Sequence, residues 1–208
     1  MFKRGFDLIF SLILLVLLSP ILLLLLMIVW LQFGWPPIFG QIRPGYKGRL
    51  FQIFKFRTMT NQKNDQGDLL PDEQRLTPFG QFLRRTSLDE LPELVNILLG
   101  QMSFVGPRPL LVQYLARYNP HQARRHNVRP GLTGWAQING RNALTWEQKF
   151  DLDVWYTENR SLLLDLKIIL ATIVKVLARE GISQPGHATM EEFMGTPPSM
   201  ADTPSEQA

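Results

Sequence analysis

The sequence predicts an α+β fold: an N-terminal membrane helix hairpin broken at Ser19-Pro20, then a small helical domain with one β-hairpin and membrane-interface helices. Three observations predict it. Leu8 to Leu31 is an uncharged run of 24 residues with Ser19-Pro20 at its middle. Two Phe- and Ile-rich segments then flank a turn containing Pro44-Gly45 and Gly48. Beyond residue 78, apolar residues return mainly at helical spacing.

A straight helix over Leu8–Leu31 would reach about 36 Å, enough for a hydrocarbon core of about 30 Å. Pro20, however, has no N–H for the Val16 carbonyl, and its ring crowds that turn. Each half then covers only about 16 Å. Basic residues flank both ends: Lys3 and Arg4 before, Arg43, Lys47, Arg49, Lys55 and Arg57 after. Lys and Arg collect on the cytoplasmic side, so a helix that enters, breaks and returns satisfies both flanks. A kinked spanning helix is the alternative. In either case Ser19 can bond back to a preceding carbonyl and lessen the cost of the break. The run is too long for a removable signal peptide and lacks a small-residue cleavage site.

Ile38 to Met59 reads as a β-hairpin, and the polar stretch Thr60 to Pro78 as a loop with the composition of a mobile cover over a site. Phe79, Phe82 and Leu83 give one apolar face to a short helix that delivers Arg84 and Arg85. Pro92 suits a first helical turn, placing the next helix start near Asp89, and Gly100 suits its C-terminal cap. MSFVG reads as a strand, followed by PRP, where two prolines hold Arg108 at low entropic cost. Arg129 to Asn142 is dense in Gly, Asn and Gln: either a loop that lets backbone approach a polar ligand, or a set of tight turns. Ser161 to Arg179 is a helix with Asp165, Thr172, Lys175 and Arg179 on one face, packed on the domain or lying in the membrane interface. Residues 185–208 read as a disordered acidic tail. The domains are then 1–36 (membrane helix), 37–184 (cytoplasmic domain) and 185–208 (tail).

Charge narrows the partners. All 22 basic residues lie at or before Arg179 and five of the 18 acidic ones after it, leaving the body a formal +9. Such a body favours anionic partners, and the apolar entrance favours a membrane over nucleic acid. Cysteine is absent, which excludes disulfides and thiolate chemistry. His121, His126 and His187 lack the spacing of a zinc pair, and neither GxGxxG nor GxxxxGK[ST] occurs.

The stretch RRTSLDELPEL, residues 84 to 94, holds two adjacent carboxylates, Asp89 and Glu90, behind two arginines. Locally this fits an ordinary helix start, since Ser87 and Glu90 have capping-box spacing and acidic residues favour a first turn. Chemically, a carboxylate can attack a phosphoryl group if cations and a helix N-terminus offset like-charge repulsion. One rival is a nucleotide-sugar glycosyltransferase binding Mg2+ through Asp151-x-Asp153; another is a non-catalytic adaptor that binds anionic lipid.

KRGFD, the central SP, FKFRTM, SLDELPEL, MSFVGPRPL and RPGLTGWAQINGRN together resemble the small monotopic phosphoglycosyl transferases, the bacterial sugar transferase family, from Lys3 to about Ser183. The likeness is greatest to the compact members that begin N-linked glycan assembly. The resemblance implies transfer of a sugar 1-phosphate from a UDP-sugar to a polyprenol phosphate such as undecaprenyl phosphate, with Mg2+ and release of UMP. It implies Asp89 as nucleophile and Glu90 as the partner that assists with metal or proton handling, both at the metal. Arg84, Arg85, Arg108, Asn139 and Arg141 are implied as phosphate or substrate contacts. Ser19 and Pro20 fall on the break of a re-entrant membrane helix, with the domain on the cytoplasmic face of the bacterial inner membrane. A homodimer and downstream glycosyltransferases are further candidate partners.

Overall fold

The computed structural model describes residues 2–140, 144–178 and 192–195. Helices α1 (Phe2–Leu17) and α2 (Ser19–Phe33) replace one continuous helix. They meet at a bend of 65°. Pro20 sits in the first turn of α2, where its missing N–H costs little. Ser19 Oγ donates to the Val16 carbonyl that Pro20 cannot serve, at 2.7 Å. Among the described residues no single helix is long and apolar enough to cross a membrane, whereas the bent pair together meets that test. Leu23, Leu24, Met27, Trp30 and Leu31 of α2 lie exposed, while Leu25 and Val29 pack on Phe56 and Leu83.

Strands β1 (Ile38–Pro44) and β2 (Leu50–Phe56) form the expected antiparallel hairpin, with Ile38 opposite Phe56 and Pro44 opposite Leu50. The stretch read as a loop holds a four-residue helix, α3 (Asp72–Arg75), and two isolated bridges, Met59 to Leu76 and Lys63 to Leu69. Helix α4 (Pro78–Thr86) starts on Thr77, whose side chain caps Gly80 N–H. It lies so close to the end of the hairpin that a Cβ on Gly80 would overlap the Thr58 carbonyl.

The expected helix start at Asp89 is corrected. Asp89 lies in a 3-10 turn, Leu88–Glu90, and helix α5 spans Glu93–Leu98. Ser87 precedes that turn but caps nothing with its side chain: at φ 56° it is also the left-handed end of α4, away from the extended geometry of a capping box. Asn96 of α5 is fully buried and stitches the helix to the hairpin, accepting from Phe54 N–H at 3.0 Å and donating to the Gln52 carbonyl at 2.7 Å.

Strands β3 (Ser103–Val105) and β4 (Gly131–Thr133) pair in parallel. A Cβ on Gly131 or Gly134 would overlap the backbone of Gly106. These glycines therefore serve close backbone approach between segments, which neither a ligand loop nor a set of tight turns anticipates. The short helices α6 (Pro120–Ala123) and α7 (Trp135–Ile138) lead to α8 (Trp146–Asn159) and α9 (Leu162–Ala178). The main core gathers Phe51, Ile53, Leu94, Ile97, Met102 and Tyr156, and Phe6, Leu14 and Leu15 of α1 pack against it. Helix α1 thus shares the main core of the protein.

Helix α9 presents Asp165, Ile168 and Thr172 inward: Asp165 accepts from Lys3 Nζ and Tyr156 OH, and Thr172 pairs with Thr133. Leu163, Leu166, Leu170, Ile173 and Val174 face outward. Leu164, Ile168 and Ile169 join the main core, and the outward face is nonetheless largely apolar, unlike a helix face solvated by water.

The tail reading fails at residues 192–195. Phe193 is buried against Tyr114 and Phe150, its N–H donates to Tyr114 OH, and Arg117 donates to Glu192 and to the Phe193 carbonyl. A single aromatic residue gains enough from burial to dock a segment that is otherwise polar. The rest of 185–208 lies outside the described residues.

Candidate active site

The hairpin, α4 and α5 converge on the turn that carries Asp89 and Glu90. Lys55 occupies the inward parity of β2, in line with buried Phe51 and Ile53, so strand alternation directs its ammonium at the turn. Its Nζ donates to Glu90 Oε1 at 2.6 Å and lies 3.1 Å from Glu93 Oε1, an ion pair without hydrogen-bond geometry. Arg108, delivered by the PRP bend, donates from Nη2 to the same Glu90 oxygen at 2.7 Å. Arg84 donates from Nε to Thr58 Oγ1 at 3.0 Å, which holds its charge within reach of Asp89. Asp89 is buried and makes no side-chain hydrogen bond among the described residues.

Electrostatics separate the two neighbours. Burial first, and the Glu90 charge second, push the Asp89 carboxyl up to about 6; Lys55, Arg108 and Arg84 act in the opposite direction. Burial also opposes charge on Glu90, but Arg108 and Lys55 outweigh it and hold that carboxyl well below the usual range. Burial and then Glu90 raise Glu93 to about 7. Glu90 is therefore a fixed anion clamped by two cations. Asp89 is an underused carboxylate beside it, and environments that push paired carboxyls apart mark acid, base and nucleophile assignments.

Of the sequence-predicted residues, Asp89, Glu90, Arg84 and Arg108 come together. Arg85 is exposed and makes no hydrogen bond or ion pair with them among the described residues. Asn139 is exposed and donates to the Trp135 carbonyl of its own helix, α7, with no link to the dyad. Arg141 lies outside the described residues. Lys55, Glu93 and Thr58 were missed. Strand parity signals Lys55, and Glu93 follows Glu90 by three residues, one helical turn on.

The Asp151-x-Asp153 rival loses its site. Asp153 is buried in a two-point pair with Arg125, at 2.7 and 3.0 Å, while exposed Asp151 meets His121. Arg125 also donates to the Arg108 carbonyl at 2.8 Å, so this pair holds the PRP bend.

Residues 1–179 match the bacterial sugar transferase family. The chain belongs to that family. It is 55% identical over 194 residues to an uncharacterized sugar transferase, EpsL, of Bacillus subtilis, covering 93% of this chain and 96% of that one. It is 43% identical over 184 residues to a UDP-glucose:undecaprenyl-phosphate glucose-1-phosphate transferase of Klebsiella pneumoniae, covering 84% of this chain and 40% of that one. An undecaprenyl-phosphate galactose phosphotransferase of Salmonella typhimurium is 37% identical over 199 residues, 86% of this chain and 41% of its own length. The chain thus spans about two fifths of those two relatives.

Proposed function

We propose that this bacterial sugar transferase moves a sugar 1-phosphate from a UDP-sugar to undecaprenyl phosphate, through a covalent phosphosugar on Asp89. The names of the Klebsiella and Salmonella relatives support the substrates' class. The observation that carries the mechanism is the contrast between Asp89, buried and unbonded, and Glu90, clamped by Lys55 and Arg108.

The Asp89 carboxylate attacks the sugar-bearing phosphorus, forming an acyl phosphate bond as the bond to the UMP oxygen breaks. A phosphate oxygen of the polyprenol acceptor then attacks the same phosphorus and frees Asp89. Arg84, Arg108 and Lys55 offset the charge that accumulates as a carboxylate approaches a pyrophosphate. Glu90 fixes two of those cations in place.

Among the described residues no group of three or more His, Cys, Asp or Glu side chains is arranged to hold a metal. Mg2+ is often held by one or two carboxylates plus substrate phosphates, however, and Asp89 together with the second oxygen of Glu90 fits that mode. When bound it would neutralise phosphate charge.

The membrane assignment is part of the same proposal: residues 1–36 re-enter the membrane, 37–184 lie on its cytoplasmic face, and the outward apolar face of α9 rests in the interface. The 65° bend, the two basic flanks and the exposed apolar residues of α2 and α9 support it.

Enzyme in nonionic detergent, given Mg2+ and a panel of UDP-sugars, is expected to release UMP with undecaprenyl phosphate present. Without acceptor it should carry one phosphosugar on the Asp89 peptide, read by mass spectrometry of a rapidly quenched sample. Release of UDP in place of UMP would identify glycosyl transfer and refute the proposal.

The pH profile has a definite sign. The nucleophile must be ionised, and Asp89 protonates near pH 6, so kcat/KM should fall about tenfold per unit as pH drops below that value. Glu90 stays ionised there and contributes no limb. A profile flat from pH 5 to 8 would exclude Asp89 as the titrating nucleophile.

A further inference from the structure

A second charged site lies away from the dyad. A cavity of about 300 Å³ opens where the N-terminus of α1 meets the N-terminus of α9. Lys3, Arg4, Arg129 and Arg160 line it, against a single carboxylate, Asp7, which already accepts the Phe104 N–H. Some of this positive charge is committed. Lys3 bonds Asp165, the Val105 carbonyl and Tyr156 OH. Arg4 caps the Ile97 and Leu98 carbonyls at the C-terminal end of α5. Arg129 uses Nε on the Gly100 carbonyl, and its two terminal nitrogens make no hydrogen bond among the described residues. Arg160 makes no hydrogen bond or ion pair among the described residues.

Two neutral features converge on the same space. Ser103 is 1% exposed, lines the cavity, and its Oγ has no hydrogen-bond partner among the described residues. A buried hydroxyl left without a partner costs about 1–3 kcal/mol, which a ligand oxygen would recover. Ser161 and Leu162, at the start of the 17-residue helix α9, complete the wall. Ser161 Oγ already accepts the Leu164 N–H, which leaves the first N–H groups of α9 and the positive end of its dipole.

The surroundings indicate which anion fits. The two helices that meet at the cavity carry exposed apolar side chains: Phe2 and Ile9 on α1, Leu163, Leu166 and Leu170 on α9. A polar, cationic pocket bordered by apolar helix faces matches a molecule with an anionic head and acyl chains. The dyad lies elsewhere. Arg4 and Arg129 cap the C-terminal end of α5, whereas Glu90 precedes its first turn, a helical distance of about 12 Å. We propose that this pocket binds the phosphodiester headgroup of an anionic phospholipid and so fixes the seam between α1 and α9 at the bilayer surface.

Native mass spectrometry of the full chain released from nonionic detergent tests this without any turnover, so its outcome is independent of the proposed activity. The probes are palmitoyl-oleoyl phosphatidylglycerol, the matching phosphatidylcholine and inorganic phosphate. Wild type is expected to retain one phosphatidylglycerol at least tenfold more tightly than phosphatidylcholine. Arg160→Gln and Ser103→Ala should each weaken that retention about tenfold, and Arg160→Lys should restore part of it. UMP release by Arg160→Gln should stay within twofold of wild type. Equal retention by wild type and both variants would overturn the site. Inorganic phosphate binding as tightly as the lipid, and lost in the same variants, would reassign the pocket to free phosphate and overturn the lipid.

Discussion

Asp89→Asn is expected to lower turnover by about 10⁴-fold or more while leaving the protein folded and membrane-bound. The amide keeps the shape of the side chain but not its anion, so no acyl phosphate forms and no phosphosugar adduct appears on that peptide. Folding should not suffer, because Asp89 makes no side-chain hydrogen bond among the described residues and its charge is opposed by burial and by Glu90. Denaturant unfolding should show Asp89→Asn at least as stable as wild type. Turnover within tenfold of wild type would exclude Asp89 as nucleophile. Glu90→Gln provides the contrast. It strips Lys55 and Arg108 of their shared anion, so it should cost stability as well as turnover. A variant that loses activity alone and a neighbour that loses both would separate the attacking group from the one that holds the cations.

Much of this site was legible because its chemistry sits in short contiguous stretches. Apolar periodicity placed α4 and its arginines, Pro44-Gly45 placed the hairpin, and the Ser-Pro pair placed the break between α1 and α2. What the sequence concealed is what depends on another segment. The Ser87 and Glu90 spacing satisfies a capping box, yet Glu90 is drawn to Lys55 and Arg108, which lie far from it in the chain. The glycines after Arg129 are spaced like a ligand loop, but Gly131 and Gly134 answer to Gly106, and only pairing of β3 with β4 brings these together. Phe193 reads as one aromatic in a polar tail, while its partners Tyr114 and Phe150 belong to elements formed much earlier. Lys55 was within reach, since strand parity puts it on the buried face of β2; its partner's identity was not.

In intact cells a cysteine at Phe2 is expected to stay shielded from a membrane-impermeant reagent, as is one near Asn64, until the membrane is permeabilised. That result requires both ends of the α1–α2 pair to face the cytoplasm. Two locks would hold the proposed hairpin. The first is Ser19-Pro20, and replacing it with Ala-Leu restores an N–H for the Val16 carbonyl and favours a continuous helix long enough to span. The second is the attachment of the N-terminus to the domain: Lys3 Nζ to Asp165 at 2.5 Å, Arg4 to the Ile97 carbonyl at 2.8 Å. Since Asp165 is buried, removing Lys3 leaves its charge with only the Tyr156 hydroxyl as partner, a loss of up to about 3–5 kcal/mol for such pairs. The Ala-Leu variant alone should therefore expose Phe2 in only part of the population. Adding Lys3→Leu and Arg4→Leu removes the tether and the positive charge that disfavours crossing, and labelling from outside should then approach completeness. Turnover should fall with the fraction labelled, because α1 packs on the core that carries α5 and hence the dyad turn. Labelling of Phe2 from outside in the otherwise wild-type chain would show a kinked span in place of the hairpin. Complete protection in the quadruple variant would show that neither lock sets the topology.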